Sequence, residues 1–322
     1  MNTDSLAYII AHDGDAHRIA LIEAETHRNG AALVWLHIDG NSGDDMGWLR
    51  GQSGVPVAAV SAMTAIETRP RATPLDDGVM VNLRGVNMSP DADPDDLVSI
   101  RLWAEAGRVI TVSYRPMLAL DDLVAAVEAR KVKDPGDLIV HLAEVLTIRL
   151  EAPINELADT VDRLEEDVIE GERKSLRERI GRIRRTAIGL RRYISPQRDA
   201  LSGLVLGRFD WLNDDDRVHL GEALNRVTRM VEELDSVRER GAVLTEQLAD
   251  MRAESMNERN LVLTVAGTVF LPLTFLTGLF GMNVGGIPFG QHDIGFLVIS
   301  AVSIVVGIAL WLWLRRRDGV GG

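Results

Sequence analysis

Small and polar side chains recur along one helical face of an apolar segment near the end of the chain. At about 100° per residue, residues 261–279 divide into this face and an opposite face of bulky apolar side chains. The polar face carries Asn257, Asn260, Thr264, Gly267, Thr268, Leu271, Thr274 and Gly278. It contains no carboxylate, so a cation on it would meet amide and hydroxyl oxygens, which suit an ion that keeps part of its water shell.

Two interpretations of this polar stripe are open from the residues alone. Small residues and threonines let membrane helices approach closely, which favours a helix–helix interface. A pore lining is the other interpretation, and asparagines at both ends of the segment (Asn257, Asn260 and, past the far end, Asn283) favour it. Because two helices cannot enclose a pore, the second interpretation requires an oligomer.

Two apolar runs, residues 261–279 and 294–314, are each long enough to cross a bilayer, which takes about 20 residues. The loop between them, residues 281–293, has no Lys or Arg, whereas Arg259 precedes the first run and Arg315–Arg317 follow the second. The positive-inside rule therefore predicts two spans with both termini cytoplasmic and the loop outside.

Composition excludes several classes of function. The chain has 322 residues, a net charge of −13 and no cysteine, so disulfides, thiolate metal sites and thiol catalysis are absent. No glycine-rich phosphate loop followed by Lys, no GxSxG and no HExxH occurs, so neither an enzyme nor a bound cofactor is expected. The acidic balance argues against nucleic acid, and the arginine-rich residues 173–192 are predicted to form a solvated helix face paired with acids.

Residues 1–132 show the pattern of a mixed α/β domain, with short apolar runs separated by turn signals. The predicted strands are Leu6–Ile10, Ala32–Ile38, Val79–Leu83, Val98–Ala104 and Val109–Val112. The last two are expected to pair as a hairpin around Ala106-Gly107, and a helix is predicted over Met117–Lys131.

Residues 133–256 form a predicted helical region. Amphipathic segments cover Asp137–Glu170 and Leu176–Tyr193, with interruptions expected at Pro153 and Pro196. A longer helix is predicted from Asp214 through a first span at 257–280. Its apolar residues follow a heptad-like spacing with one extra three-residue step, which indicates packing against other helices.

Several segments together closely resemble the membrane part of the CorA metal-ion transporter superfamily. They are Asn257-Glu258, Leu263-Thr264, residues 270–275 and residues 278–283. Gly281-Met282-Asn283 matches the signature loop of that superfamily, placed here between two C-terminal spans. Val284–Pro288, Arg191–Leu201 and Val34–Asp39 look like the ZntB zinc-transporter branch.

The resemblance implies an inner-membrane homopentamer. Its fold would be an α+β cytoplasmic funnel domain, a long stalk helix, a C-terminal two-helix transmembrane hairpin and a short cytoplasmic tail at 315–322. The resemblance places the pore lining at Asn257, Asn260, Leu263, Leu271, Thr274 and Asn283, while the helical wheel favours Thr264 over Leu263.

The function implied is divalent-cation transport, with zinc first and uptake coupled to protons as one possibility. A magnesium or cobalt channel of the same superfamily is the alternative, and a non-transporting membrane scaffold or sensor is a second one. The seven histidines show no ligand spacing, so zinc is implied by the resemblance and not by ligands.

Ion contacts are expected outside the stripe as well. Asn283 would contact the hydrated ion in an outer ring, or it would cap the end of the helix. His292 and Asp293 in the outer loop either attract cations or form a polar turn. The resemblance also implies regulatory divalent cations in the cytoplasmic domain, without identifying particular acids.

Overall fold

The computed structural model describes residues 5–27, 31–66, 68–87, 96–169, 175–282 and 294–318. The chain divides into two compact units, Met1–Thr245 and Glu246–Gly322, called here the N-terminal and C-terminal units. The N-terminal unit is an α+β domain and the C-terminal unit is helical.

A seven-stranded sheet forms the centre of the N-terminal unit. The strands are β1 Leu6–Ile10, β2 Ala16–Ile19, β3 Leu33–Asp39, β4 Arg71–Leu75, β5 Gly78–Val86, β6 Leu97–Glu105 and β7 Arg108–Ser113. Their spatial order is β2-β1-β3-β7-β6-β5-β4, with β3 and β7 parallel and the other neighbours antiparallel. The β6–β7 hairpin is confirmed, with Gly107 in the left-handed conformation at its turn.

All of the predicted strands are confirmed, and the two edge strands β2 and β4 were missed. Both are short and largely exposed, and β4 contains Pro74, so neither carries the buried apolar pattern of a central strand. Edge strands are where such a pattern is weakest, because only one neighbour and part of one face constrain them.

Helices cover both faces of the sheet. On one face, Val34, Leu36 and Ile38 of β3 belong to a buried core that they share with two short helices, α1 Gly43–Gly51 and α2 Val57–Met63. This spacing of two residues is the one expected for side chains on the same face of a strand.

The opposite face is covered by helices that follow the sheet in the chain. The first of them is the helix predicted over Met117–Lys131, which the structure confirms as α3 Leu118–Glu128. Trp35 lies on this face, where it stacks on Tyr8 at 5.9 Å between ring centroids. The Tyr8 hydroxyl donates to the Glu128 carboxylate at 3.0 Å, which ties α3 to the sheet.

Four long helices follow: α4 Pro135–Ile169, α5 Leu176–Leu206, α6 Asp214–Phe280 and α7 Gly295–Asp318. The interruptions expected at Pro153 and Pro196 were wrong, because α4 and α5 continue through both prolines. An interior proline costs about 3 kcal/mol. Burial of the apolar stripe on each side of the proline offsets that cost, as Leu150 and Ile154 do in α4.

Arginines of α5 pair with acids, as the sequence predicted. Their partners belong to the neighbouring helices and not to α5 itself. Arg179 contacts Asp167 of α4 at 2.6 Å, and Arg191 contacts Asp235 of α6 at 2.7 Å. These pairs link α5 to its two neighbouring helices within the N-terminal unit.

Candidate functional site

The polar stripe of α6 is exposed along almost its whole length in the C-terminal unit. The exposed members are Asn257, Asn260, Leu263, Thr264, Gly267, Leu271, Thr274 and Gly278. Leu271 retains 76% of its accessible surface and Leu263 retains 70%. Thr268 is half-buried. The chain therefore leaves this face of the helix open, although large apolar side chains belong to it.

The other face of α6 meets α7. A Cβ built on Gly307 of α7 would lie 3.5 Å from Leu273 Cδ1, so the two helices are in contact there. A Cβ built on Gly267 or Gly278 would meet no described atom within 4 Å. The contact at Gly307 thus uses Leu273 of the bulky face, whereas Gly267 and Gly278 of the stripe have open space around them.

The threonine hydroxyls of this segment donate back to the backbone of their own helix. Thr264 Oγ1 donates to the carbonyl of Asn260 at 2.8 Å, and Thr268 Oγ1 donates to that of Thr264 at 2.8 Å. Because the hydroxyl proton is used within the helix, the oxygen lone pairs remain as acceptors. Such acceptors can receive hydrogen bonds from the water shell of a cation.

Direct metal ligands do not occur along the described part of this segment, residues 261–282, which contains no Asp, Glu or His. Across the described residues, the only group of at least three such side chains that could hold a metal lies in the N-terminal unit. A divalent cation on the stripe would therefore contact amide and hydroxyl oxygens through its water shell.

The helix ends where the expected loop begins. α6 ends at Phe280, and the Gly281 amide donates to the carbonyl of Thr277 at 2.9 Å. Met282 is 50% exposed. Asn283, His292 and Asp293 lie outside the described residues, so their expected ion contacts stay predictions.

An acidic cluster in the N-terminal unit was missed by the sequence analysis. Oxygen atoms of Asp134, Asp137 and Asp216 lie within 4.8 Å of one another where the first turns of α4 and α6 meet. The sequence predicted that α6 begins at Asp214, which the structure confirms, but it gave no other sign of the cluster. Nothing in the sequence indicated that the two helix starts are neighbours.

These carboxylates already serve the helix ends. Asp134 Oδ1 accepts from the Asp137 amide at 2.9 Å, and Asp216 Oδ2 accepts from the Asn213 amide at 3.0 Å. Burial, with the neighbouring Asp134 and Asp137, raises the pKa of Asp216 to about 6. Helix capping explains the cluster without a metal ion.

Two helices in the described part of the chain are long and apolar enough to cross a membrane: α6 and residues 295–314 of α7. Neither apolar window is buried within the chain. This agrees with the two spans expected from the sequence.

Comparisons with known proteins agree with this architecture. A family model described as CorA-like Mg2+ transporter protein matches residues 30–316. The zinc transport protein ZntB of Yersinia enterocolitica is 36% identical over 281 residues, covering 86% of each chain. The divalent cation transporter CmaX of Pseudomonas aeruginosa is 39% identical over 283 residues, covering 87% of this chain and 85% of that protein.

The solved structure of full-length CmaX matches with a TM-score of 0.81 at 36% identity, over 98% of both chains. The resemblance inferred from the membrane motifs is thus confirmed over nearly the whole chain. The match includes the sheet domain, the long helix and the C-terminal apolar helix. The chain belongs to the CorA-like family of divalent-cation transporters.

Proposed function

We propose that this chain forms a homopentamer in the inner membrane and passes hydrated divalent cations, zinc foremost, through a pore lined by the stripe of α6. The observation that carries the proposal is the open stripe itself. Its small and polar residues are exposed, apart from the half-buried Thr268, and a single hairpin cannot surround an ion. Several copies with their stripes facing one axis would give these residues a common function.

Each part of the stripe then has a distinct role. Asn257 and Asn260 line the inner mouth and offer amide groups to the hydrated ion. Leu263 and Leu271 form apolar constrictions, which gate by resisting wetting. Thr264 supplies an oxygen acceptor between the constrictions and Thr274 supplies one beyond Leu271, while Gly267 and Gly278 keep the path wide.

Zinc is proposed because of the similarity to the zinc transport protein ZntB. The donors on the stripe do not select zinc, since amide and hydroxyl oxygens serve hydrated magnesium or cobalt equally well. A magnesium or cobalt channel is therefore the alternative function. The stripe also carries no carboxylate, so coupling to protons would have to use the outer loop, the mouth or water.

Flux measurements on the full chain in liposomes test the proposal. Zn²⁺, Mg²⁺, Co²⁺ and Ni²⁺ are supplied outside, an indicator dye inside reports entry, and each ion is measured with and without an inward proton gradient. Zinc is expected to enter fastest. Faster entry of magnesium or cobalt favours the magnesium or cobalt channel. Flux that does not change with the proton gradient contradicts proton coupling. No flux of any ion favours a non-transporting membrane scaffold or sensor.

The outer ring is tested by Asn283→Ala. We expect zinc uptake to be lost while the pentamer persists in size-exclusion chromatography coupled to light scattering. Uptake at the wild-type rate would show that Asn283 serves only as a helix cap. His292→Ala and Asp293→Ala test in the same assay whether the outer loop attracts cations.

The proposed orientation places both termini in the cytoplasm. Because the chain has no cysteine, single cysteines can be introduced without background labelling. In intact cells, a membrane-impermeant thiol reagent is expected to label a cysteine in place of Gln291 and not one in place of Ser61. The reverse pattern would contradict this orientation.

A further inference from the structure

Three long helices of the N-terminal unit surround a common core. The ion pairs of α5 join it to α4 and to α6, and Arg240 of α6 contacts Glu165 of α4 at 2.8 Å. Each helix buries apolar residues on its inner side, as Leu164, Ile183 and Val237 do. Each helix therefore leaves an outer face exposed, and the outer faces of α4 and α5 carry mainly opposite charges.

The outer face of α5 is basic. Arg182, Arg185 and Arg192 are exposed, and their spacing of three and seven residues places them along one side of the helix. Arg182 and Arg185 form no ion pair in the described part of the chain. Arg192 donates to the Tyr193 hydroxyl at 2.9 Å, and Glu178 lies on the same side, one turn before Arg182. The three arginines, called here the basic ridge, offer positive charge to a partner beyond these residues.

The outer face of α4 is acidic and has the same spacing. Glu156, Asp159 and Glu166 are exposed, again three and seven residues apart on one side of the helix. None of these three acids forms an ion pair among the described residues. Arg163 lies on this side too, where it donates to the hydroxyl of Thr160 at 2.8 Å. The three acids, called here the acidic ridge, match the basic ridge in length and oppose it in charge.

The two ridges lie at the same height along the N-terminal unit. The helices α4 and α5 run antiparallel, with Arg179 against Asp167 at one end. At the other end, Leu146 of α4 and Gln197 of α5 contact neighbouring residues of β5. The basic ridge starts three residues from Arg179 and the acidic ridge starts next to Asp167, and each extends over about 15 Å at 1.5 Å per residue. A complement to each ridge is therefore available at its own height in another copy of the chain.

We propose that the basic ridge of one copy packs against the acidic ridge of the next copy around a ring, an inference that rests on the proposed homopentamer. Two complementary surfaces on different sides of one chain give a head-to-tail interface, which can close into a ring. Rotation about an axis along the helices keeps each residue at its height, so Arg182 faces Glu166. By the same rotation, Arg192 faces Glu156. Complementary charges across such an interface fix its register and disfavour wrong pairings.

Crosslinking between two differently tagged full chains tests this interface. Because the chain has no cysteine, a bifunctional thiol reagent joins only the cysteines that are introduced. The matched pair is Arg182→Cys in one chain and Glu166→Cys in the other. The mismatched pair combines Arg182→Cys with Glu156→Cys, which lies about 15 Å further along α4, beyond the reach of a short reagent. After co-expression and purification through both tags, we expect a product carrying both tags from the matched pair alone. Equal crosslinking of the two pairs, or none of either, overturns the proposal.

Reversal and exchange of charge test the electrostatic basis of the contact. In the matched pair, Arg185→Glu with Arg192→Glu should slow crosslinking on the order of tenfold, because like charges then face each other. Adding Glu156→Arg and Asp159→Arg to the other chain should restore the rate. Arg50→Glu, at an exposed arginine of α1, is the control and should leave the rate unchanged. An unaltered rate after reversal, or no recovery after exchange, overturns the proposal, and is the result expected if the basic ridge faces an anionic membrane surface instead.

Light scattering and zinc flux on the same preparations separate this interface from the proposed function. A pentamer that passes zinc but gives no matched crosslink overturns the interface and leaves the proposed function intact. Matched crosslinking in a pentamer that passes no ion supports the interface and contradicts the pore. A monomeric wild-type chain contradicts both.

Discussion

The two ends of α6 have residues at the same helical spacing along one face, but these residues are buried at one end and exposed at the other. In the N-terminal unit, residues at steps of three and four are large, apolar and buried, as with Val227, Leu234 and Leu244. In the C-terminal unit, the same steps from Asn257 to Gly278 carry small, polar or isolated apolar residues, and nearly all are exposed. The period of a helix therefore identifies a row of residues on one face, called a seam below, and the residue types determine whether that row is packed or exposed. The second seam is the polar stripe.

The difference has an energetic basis. Burying a leucine side chain contributes about 1.5–3 kcal/mol, so the first seam stabilises the N-terminal unit within a single chain. The second seam offers little such burial, and the apolar residues around it, such as Phe270 at 65% exposure, have no cover within the described part of the chain. A bilayer and further copies of the chain would cover these surfaces.

The largest expected effect comes from placing one charge on each seam. Leu234 is fully buried, so Leu234→Asp should destabilise the N-terminal unit by more than about 4 kcal/mol and prevent its folding. Thr274→Asp should leave the fold intact, because Thr274 is exposed and a side chain lining an aqueous path keeps its hydration. Circular dichroism and the yield of folded protein measure both. Loss of folded Thr274→Asp protein would mean that this seam faces lipid or a dry interface.

Adding one methyl group at a glycine near each seam should give a smaller difference in stability between the two ends of α6. A Cβ at Gly136 would collide with the Asp216 carboxylate, so Gly136→Ala should lower the unfolding free energy by about 1–3 kcal/mol. Gly267 has open space around it, so Gly267→Ala should not lower stability and should raise it by up to about 1 kcal/mol through helix propensity. Denaturant titration of the full chain compares them. An equal loss in both variants would show that the second glycine is also packed.

A larger side chain on the exposed stripe should reduce ion flux without changing the stability of the fold. Gly267→Leu adds a large side chain to the proposed path and should reduce zinc flux on the order of tenfold in liposomes, with an unchanged melting temperature. Val262→Leu, on the other face of the same helix and 66% exposed, is the control and should retain wild-type flux. Equal flux in the two variants would contradict the pore lining.

The sequence predicted the parts of the molecule that local patterns determine. The strands with buried apolar runs, the start of α6 at Asp214 and its two-sided membrane segment were all found in this way. Helix continuation through Pro153 and Pro196 was not predictable, because it depends on packing by residues distant in sequence. The acidic cluster was missed for the same reason, since it joins segments whose proximity only the fold creates.

The smallest expected effect is a pH dependence of the unfolding free energy that arises at the start of α6 and not at the stripe. The pKa of Asp216 is raised from 3.8 to about 6 in the folded chain, so its ionised form is disfavoured there. Below pH 3.8 both the folded and the unfolded state hold the proton and there is no penalty. The penalty grows as the pH rises toward 6 and is complete above it. The stripe at the other end of α6 has no carboxylate that could titrate.

Asp216→Asn removes this penalty while keeping an oxygen that can accept from the Asn213 amide. At pH 7 the variant should exceed the wild type in unfolding free energy by about 1 kcal/mol, less than the full pKa shift because the capping bond becomes neutral. Near pH 4 the difference should vanish. A gain that persists unchanged at pH 4 would mean that packing, and not the charge of Asp216, limits stability at this helix junction.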